Sequence, residues 1–536
     1  MRNRNGLQGI VFVLAAAAAA CGPGSGNLIL ESEQQWADAV RTTAGTVAGP
    51  DGPTLEGGGE GHWIGAWQDG PGKPGEVQVT VRSRLELFRD KTIEVVVDGS
   101  EEPYTGSDGV PHDWYGRSMI AILDENRWVM ALRSGLNHID WRGQDAIHIL
   151  TSPDEGRTWG GLDRWFDGTP ISGMPFDDGY THSEPGLYRM PSGDLILQFW
   201  RTSYSSGTRQ LRSRDGGRTW VQDHDRINVQ GVTGAPGDLV LGTEDWFVDP
   251  ENPTHVYMAF QYFHHEAQAG TLLARSTDDG RSYEFLSWIG PLASEKDPHG
   301  GATFEPAIEY VGKRTIVAVL RDGAGNRHTW QTVSTDMGAT FAPLEEISPK
   351  VDGGVEGGLW QRARIYKASN PRFQHGNVLD FVAGEGRLWG MGLHSIGGGY
   401  TRKPVVYWSD DDGSTWQGPE LLHGPMRPGT DTGYGDLKRR VDGTFVAVAY
   451  YATRDSKVSD LEQYTFGGRR ALFRLEEDAD GDGEADGGSS WREIHGGVES
   501  YTVPLTGARW RLNIRLSNIG EGPGPGIESI RIAPSQ

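Results

Sequence analysis

An aspartate and a threonine recur together in a short motif that could offer a carboxylate and a hydroxyl to a substrate. The first copy, TSPDEGRTWG at residues 151–160, reads Ser-x-Asp-x-Gly-x-Thr-Trp, and related copies recur at intervals of 58 to 75 residues. A catalytic motif is not needed five times, whereas a repeated turn is. In such a turn the carboxylate accepts backbone N–H groups, glycine supplies positive φ and the aromatic residue packs between repeats. We therefore predict turn residues at Asp154, Asp215, Asp278, Asp336 and Asp411.

A second acidic pattern could hold a metal. In DADGDGEADGG, Asp478, Asp480 and Asp482 alternate ahead of a glycine, with Asp486 further on. This is the spacing of a calcium loop, although the position of the bidentate glutamate in an EF-hand is Ser489. The two interpretations are a structural calcium on these four aspartates and a solvated acidic loop. No cofactor is otherwise expected.

A histidine pair followed by an acid, His264-His265-Glu266, could also suggest a metal. Adjacent residues of a strand point to opposite faces, so these histidines could not share one ion on a strand. A histidine pair in a loop is the better interpretation.

The N-terminus has the features of an export signal. Arg2 and Arg4 precede an apolar stretch and an alanine run that ends at Cys21, and this beginning is typical of a secretory signal. The stretch from Leu14 to Cys21 also resembles a bacterial lipobox, whose cysteine is acylated. Cys21 is the only cysteine, which excludes a disulfide framework and makes lipidation its best use. We expect a protein of the bacterial cell envelope, periplasmic or on the cell surface, that meets the membrane only through its lipid anchor.

Composition indicates which elements must position the reactive groups. The 536 residues include 78 Gly, 29 Pro and 19 Trp, without long amphipathic stretches, which favours turns and strands. The net charge of −23 argues against a nucleic-acid partner. Each repeat holds an apolar run, a turn, a second apolar run, a third strand and then the motif, which is the content of one propeller blade.

The sequence therefore predicts an all-β, six-bladed β-propeller with short β additions at both ends, although seven blades stay open. The stretches GEVQVTVRSRLELF and KTIEVVV either close the ring or form an added sheet, and RRALFRLEE is placed in the sixth blade. ESEQQWADAV is expected to be a short helix within the linker. The predicted division is a signal (1–20), a linker (21–60), a β-strand extension (61–110), the propeller (111–475), the acidic loop (476–490) and C-terminal strands (491–536).

The five motifs resemble the Asp boxes of the sialidase superfamily, whose fold is a six-bladed propeller, and the resemblance covers roughly residues 110–475. It implies an exo-alpha-sialidase-like glycosidase with site residues in a set order along the chain. The matching stretches are WYGRSMIAIL, MALRSGLNHID, YTHSEPGLY, FEPAIEYVGKRTIVAVLRDG, GGYTRKPVVYWSDDDG and GTDTGYGDLKRR. The resemblance thereby implies substrate contacts from Arg117, Arg133, Glu184, Arg321 and Arg402. It implies catalysis by Asp140, Glu305 and Tyr434.

These residue types suit an acidic sugar. Guanidinium groups bind a carboxylate through planar two-point bonds, and a neutral tyrosine nucleophile avoids the repulsion that a carboxylate nucleophile would meet. Glu305 would deprotonate Tyr434, and Asp140 would protonate the leaving oxygen and then activate water, so that configuration is retained. The expected partner is an acidic glycan.

Some positions depart from the family pattern. Arg117 is followed by Ser118-Met119, where sialidases normally have Ile-Pro. His138 competes with Asp140 as the proton carrier, and Arg372 competes with Arg402. Two other functions stay open: a propeller polysaccharide lyase acting on a uronate-containing, sulfated polymer, and a non-catalytic propeller that binds glycans or assembles envelope proteins.

Overall fold

The structure, a computed structural model, describes a large part of the chain. The described residues are 28–30, 40–44, 46–49, 52–55, 59–65, 75–84, 91–101, 103–105, 109–136, 145–174, 182–201, 207–232, 238–241, 245–264, 268–292, 303–322, 329–347, 364–367, 387–396, 401–423, 430–453, 458–467, 469–478, 480, 482, 485–489, 491–494, 497–505, 509–518 and 526–534. Their regular elements are all strands. None of these residues belongs to a helix long and apolar enough to cross a membrane.

The strands are numbered in chain order. They are β1 (Leu28–Leu30), β2 (Val40–Ala44), β3 (Thr46–Gly49), β4 (Gly52–Leu55), β5 (Gly59–Gly65), β6 (Gly75–Arg84), β7 (Thr92–Val97), β8 (Tyr104–Thr105), β9 (Pro111–His112), β10 (Trp114–Ile122), β11 (Trp128–Gly135), β12 (Ala146–Ser152), β13 (His182–Arg189), β14 (Leu195–Arg201), β15 (Thr208–Ser213), β16 (Val221–His224), β17 (Val229–Gln230), β18 (Asp238–Leu241), β19 (Trp246–Val248), β20 (Val256–His264), β21 (Gln268–Ser276), β22 (Tyr283–Trp288), β23 (Thr303–Gly312), β24 (Thr315–Asp322), β25 (Thr329–Ser334), β26 (Glu345–Glu346), β27 (Arg364–Lys367), β28 (Leu388–Ile396), β29 (Thr401–Ser409), β30 (Gln417–Leu421), β31 (Thr430–Arg439), β32 (Phe445–Thr453), β33 (Ser459–Phe466), β34 (Arg469–Asp478), β35 (Gly487–Gly488), β36 (Arg492–Ile494), β37 (Gly497–Leu505), β38 (Arg509–Asn518) and β39 (Gly526–Pro534).

The two ends of the chain form one compact unit, residues 1–87 together with 468–536. One sheet has the order β3-β4-β39-β6-β37 with β1 on β39, and the other has the order β2-β5-β38-β34-β35 with β36 on β34. Alternate apolar residues of both sheets share one core, for example Val79 and Val81 with Leu512 and Ile514. This unit is therefore a β-sandwich.

The sandwich corrects the division predicted from the sequence. The expected linker, residues 21–60, contains β1 to β4. The extension and the C-terminal strands are not separate additions, because β6 lies between β37 and β39. The stretch RRALFRLEE forms β34 and pairs with β38 in the sandwich instead of completing the sixth blade. The helix predicted at residues 31–40 lies outside the described residues, except for Val40 in β2.

The second unit, residues 88–467, contains successive groups of mainly antiparallel strands. Within its described part we name six groups: group 1 (β10–β12), group 2 (β13–β16), group 3 (β17–β22), group 4 (β23–β26), group 5 (β27–β30) and group 6 (β31–β33 with β7). Strand β10 contacts β13, β20 contacts β23, β23 contacts β27, and β31 contacts β10. Strand groups that follow the chain and return to the first form the arrangement of a β-propeller. The number of blades stays a prediction.

The ends of this second unit meet in one sheet. Strand β7, the stretch KTIEVVV, pairs antiparallel with β33, while β10 bridges to β33 through Trp114 and Ser459. The Ser459 hydroxyl accepts a hydrogen bond from the Tyr115 N–H at 2.8 Å and donates one to the Tyr115 carbonyl at 2.7 Å. Of the two stretches that could close the ring, KTIEVVV therefore joins group 6, whereas GEVQVTVRSR forms β6 of the sandwich.

The five repeated motifs are tight turns, as predicted. In the first, Asp154 Oδ1 accepts the Thr158 N–H at 2.8 Å and Oδ2 accepts the Thr158 hydroxyl at 2.7 Å. The Ser152 hydroxyl donates to Asp154 at 2.9 Å and accepts the Gly156 N–H at 2.7 Å, with Gly156 at φ 73°. The same contacts of serine and aspartate recur at Asp215, Asp278, Asp336 and Asp411. These carboxylates are occupied within their own turns.

The aromatic residue of the motif ties neighbouring groups together through a glutamine. Gln331 of group 4 accepts the Trp416 Nε1–H of group 5 at 2.8 Å and donates to the Gly413 carbonyl at 2.8 Å. Group 2 repeats this toward group 3 through Gln210, Tyr283 and Gly280. Group 6 repeats it toward group 1 through Gln463, Trp159 and Gly156. We call this contact the glutamine clamp. The corresponding position of group 3 is Leu273, which packs in a core with Phe341 of group 4.

Candidate active site

Four first strands share a distortion at the same place. Arg117 on β10, Glu184 on β13, Glu305 on β23 and Tyr434 on β31 have φ values of 56°, 59°, 49° and 47°. At each of them the register with the next strand shifts. Positive φ is unfavourable for residues with a Cβ, and such strain concentrates at functional sites, where bulges re-aim side chains. The four distortions single out four of the residues implied by the resemblance.

Tyr434, Glu305 and Arg321 lie in direct contact. The Tyr434 hydroxyl donates to Glu305 Oε1 at 3.4 Å, and Arg321 Nη1 donates to the same oxygen at 3.0 Å. The negative charge of Glu305 raises the pKa of Arg321 above its ordinary value, and the nearby Tyr434 acts in the same direction. The Arg321 side chain is 30% exposed, so it can reach a ligand. The arrangement places a permanent cation and a carboxylate base around a tyrosine hydroxyl.

Arg117 lies on the ring of the same tyrosine. Its guanidinium carbon is 4.6 Å from the centroid of the Tyr434 ring, which is a cation–π contact. Arg117 also forms a buried ion pair with Glu184 on the neighbouring strand. The structure thus brings Arg117, Glu184, Glu305, Arg321 and Tyr434 to one place.

Arg133 is also near, but it is buried in an ion pair with Asp145. Burial raises the pKa of Asp145 to about 6, although the charges of Arg133, His112 and Arg117 oppose the rise. Burial likewise lowers the pKa of Arg133. Asp145 was not identified from the sequence; its one signal is an acid directly before a strand, in RGQDAIHIL. Its pairing with Arg133 appears only when β11 and β12 are side by side.

Several implied residues cannot be placed. Asp140 and its competitor His138 lie outside the described residues, as do Arg372, His265, Glu266 and Cys21. Arg402 lies on β29 opposite Ser395, and nothing is described of its side chain or that of His264. The acid that would protonate the leaving group therefore stays a prediction.

The acidic loop partly fits a metal ion. Carboxylate oxygens of Asp478, Asp480 and Asp486 lie within 4.8 Å of one another, while Asp482 lies outside that set. Instead, the Asp482 N–H donates to Asp480 at 3.1 Å. Calcium prefers hard oxygen ligands such as these carboxylates. Arg509 Nη1 lies 3.3 Å from Asp478 Oδ2 and competes with an ion for the Asp478 carboxylate. Three of the four predicted ligands are thus brought together.

No curated protein matches the chain. Among solved structures, a protein of unknown function from Dyadobacter fermentans has 14% identity and a TM-score of 0.48, covering 70% of this chain and 99% of its own. A Hadza microbial sialidase has 13% identity and a TM-score of 0.46, with 79% and 94% covered. Trypanosoma rangeli sialidase in complex with sialic acid has 10% identity and a TM-score of 0.45, with 84% and 96% covered.

A family model matches a long continuous part of the chain. The model of the BNR repeat-like domain matches residues 143–446, which is more than half of the chain and includes all five turn motifs completely. That span contains Glu184, Glu305, Arg321 and Tyr434. The chain therefore belongs to the BNR repeat-like domain family.

Proposed function

We propose that the protein is an exo-acting, sialidase-type glycoside hydrolase that releases a terminal sialic acid or a related acidic sugar with retention of configuration. The observation that carries the proposal is the contact of the Tyr434 hydroxyl with Glu305, 3.4 Å away, beside Arg321. Two carboxylates serve most glycosidases, and a tyrosine nucleophile is the sialidase exception. A tyrosine between a carboxylate and two arginines fits this exception.

The first chemical step follows from these contacts. Glu305 accepts the phenolic proton of Tyr434, and the phenolate oxygen attacks the anomeric carbon. As the bond from that carbon to the leaving oxygen breaks, the leaving oxygen takes a proton from an acid, for which Asp140 remains our candidate. The product of this step is a covalent glycosyl–tyrosine intermediate and a free alcohol.

Water completes the reaction. The group that gave its proton removes one from water, and the water oxygen displaces the Tyr434 oxygen, which recovers its proton from Glu305. Two inversions give net retention. Arg321, whose side chain is partly exposed, would hold the sugar carboxylate, and Arg402 is the proposed second contact.

The location of the protein remains part of the proposal. The lipobox-like sequence that ends at Cys21 supports a lipid-anchored protein of the bacterial envelope. Such an anchor would place the site where terminal sugars of glycans are accessible.

The proposal is tested with a fluorogenic sialoside and, separately, a uronate polymer. Wild type should release fluorophore, and Tyr434→Phe should lower kcat about a thousandfold, because the nucleophilic oxygen is lost. Tyr310→Phe is the matched control: Tyr310 lies on the same strand as Glu305, and its hydroxyl contacts Glu251 at 3.3 Å. Ultraviolet-absorbing products from the polymer, with no sialoside cleavage, would establish the lyase instead. Activity on neither substrate would reject both enzymes.

A further inference from the structure

Tyr434 belongs to a row of aromatic rings that crosses from group 6 to group 1. Its ring lies nearly parallel to that of Tyr450, with centroids 6.4 Å apart and planes at 11°. Tyr450 packs on Trp114 with centroids 5.0 Å apart. These rings and Ala452 form one buried cluster, in which Tyr450 is 0% and Trp114 is 1% exposed. Tyr450 and Trp114 are therefore shielded from any ligand.

The row ends on the buried ion pair. The guanidinium carbon of Arg133 is 5.1 Å from the centroid of the Trp114 ring, and its Nη2 pairs with Asp145. The side chains of Arg133 and Asp145 are 2% and 0% exposed. Separating the two side chains would leave an uncompensated buried charge, which is strongly unfavourable. Arg133 and Asp145 therefore stay in contact and keep fixed positions. The cation over the indole in turn fixes Trp114.

Gly116 allows the rings to approach each other. A Cβ at Gly116 would lie 2.7 Å from Trp114 Cη2 and 2.9 Å from Tyr450 Cδ1, which is closer than real Cβ atoms come. Gly116 directly precedes Arg117, whose guanidinium covers the Tyr434 ring. The same bulge therefore serves the aromatic row and the cation of the site.

The row also coincides with the closure of the second unit. Trp114 bridges β10 to Ser459 of β33, and Tyr450 lies opposite Gly433, the residue before Tyr434. The contacts that join group 6 to group 1 therefore also determine the position of the Tyr434 ring. A ring displaced by about 1 Å would lose its alignment with Glu305 and Arg117, and misplacement of that size is costly in catalysis.

We propose that Trp114, Tyr450 and the Arg133–Asp145 pair are positioning residues for Tyr434, and that Arg133 supports the nucleophile instead of binding substrate. This inference rests on the proposed function, in which Tyr434 attacks the sugar. It reassigns Arg133, which the resemblance implied as a substrate contact. The burial of the Arg133 side chain and its pairing with Asp145 support the reassignment.

The kinetic test uses Tyr450→Leu, Trp114→Phe and Arg133→Met in the full-length protein with the fluorogenic sialoside. Each should lower kcat about 10- to 100-fold, because the nucleophile is misplaced. Each should change KM by no more than about threefold, because no substrate contact is lost. Trp389→Phe is the control for loss of a buried indole; Trp389 packs on Phe445, 4.7 Å between centroids, and should keep wild-type kcat. A large rise in KM for Arg133→Met with unchanged kcat for Tyr450→Leu would overturn the proposal.

A second measurement needs no turnover. Tyrosine labelled with ¹³C at Cζ reports the Tyr434 phenol by NMR, and the signal is assigned by its loss in Tyr434→Phe. The proposal predicts that this signal and its pH titration shift in Tyr450→Leu and Trp114→Phe, and stay in place in Trp389→Phe. An unchanged signal in the first two variants would overturn it. If the Tyr434 signal shifts in these variants but the wild-type protein cleaves no glycoside, the proposed function is rejected, whereas the positioning of Tyr434 by Trp114 and Tyr450 is supported.

Discussion

Replacing Gln331 by leucine should weaken the junction between groups 4 and 5. Gln331 is 6% exposed, accepts the Trp416 Nε1–H at 2.8 Å and donates to the Gly413 carbonyl at 2.8 Å. The variant loses both hydrogen bonds and takes away the acceptor of a buried indole N–H. Since a net hydrogen bond contributes about 1 kcal/mol and a buried group deprived of its partner costs about 1–3 kcal/mol, we expect a loss of about 2–4 kcal/mol.

The chain itself suggests the control. At the junction of groups 3 and 4 an apolar pair, Leu273 and Phe341, stands where the glutamine clamp has Gln331 and Trp416. The double variant Gln331→Leu with Trp416→Phe reproduces that pair. Replacing both partners of a hydrogen bond is far less harmful than removing one, so the double variant should lose about 1–2 kcal/mol less than the two single variants together.

The assay is calorimetric thermal unfolding of wild type, both single variants and the double variant. For a unit of this size the loss in Gln331→Leu corresponds to a fall in Tm of about 2–5 °C. If the losses of unfolding free energy in the two single variants add up to the loss in the double variant, the glutamine clamp is refuted. A Gln331→Leu protein with the wild-type Tm would also refute it.

Three further predictions concern other parts of the chain. Hydrogen bonds from Thr340 and Ser334 lower the pKa of Asp336 to about 2. The ionised carboxylate therefore contributes its full stabilisation at pH values above the unfolded pKa near 4, and this contribution is lost as the pH falls through about 2. Asp336→Asn should therefore lower Tm at pH 7 and leave it near wild type in acid, and an equal deficit at both pH values would contradict this. Millimolar calcium should raise the Tm of wild type more than that of Asp478→Asn in a calorimetric titration, with magnesium as the control ion, if the acidic loop is a calcium site. Cys21→Ala should move the protein from the membrane fraction to the soluble fraction of fractionated cells, and unchanged membrane association would argue against the lipid anchor.

The turn motifs could be predicted in detail because their chemistry is local. Asp154 and its serine, glycine and threonine partners lie within seven residues of sequence, so the sequence shows every group that the turn needs. The sandwich could not be predicted in this way. Its strands β6 and β39 pair across more than four hundred residues, and each stretch alone reads as an isolated strand.

The site shows the same distinction. Glu305, Arg321 and Tyr434 could be identified from their order relative to the turns, and the structure brings them together. Asp145, Trp114 and Tyr450 could not, because their roles arise from pairing between strands and from packing across the junction of the first and last groups. The positive φ of Tyr434 is likewise invisible in the sequence, where a glycine on each side is the only local signal.

Trapping the glycosyl–enzyme intermediate shows whether Tyr434 is the nucleophile of a retaining glycosidase. A fluorinated acidic sugar with a good leaving group slows hydrolysis of the glycosyl–enzyme bond, so the adduct can be located by peptide mass spectrometry. We expect one added sugar on Tyr434 and none in Tyr434→Phe. An adduct on Glu305 or another carboxylate, or rapid sialoside hydrolysis by Tyr434→Phe, would contradict it.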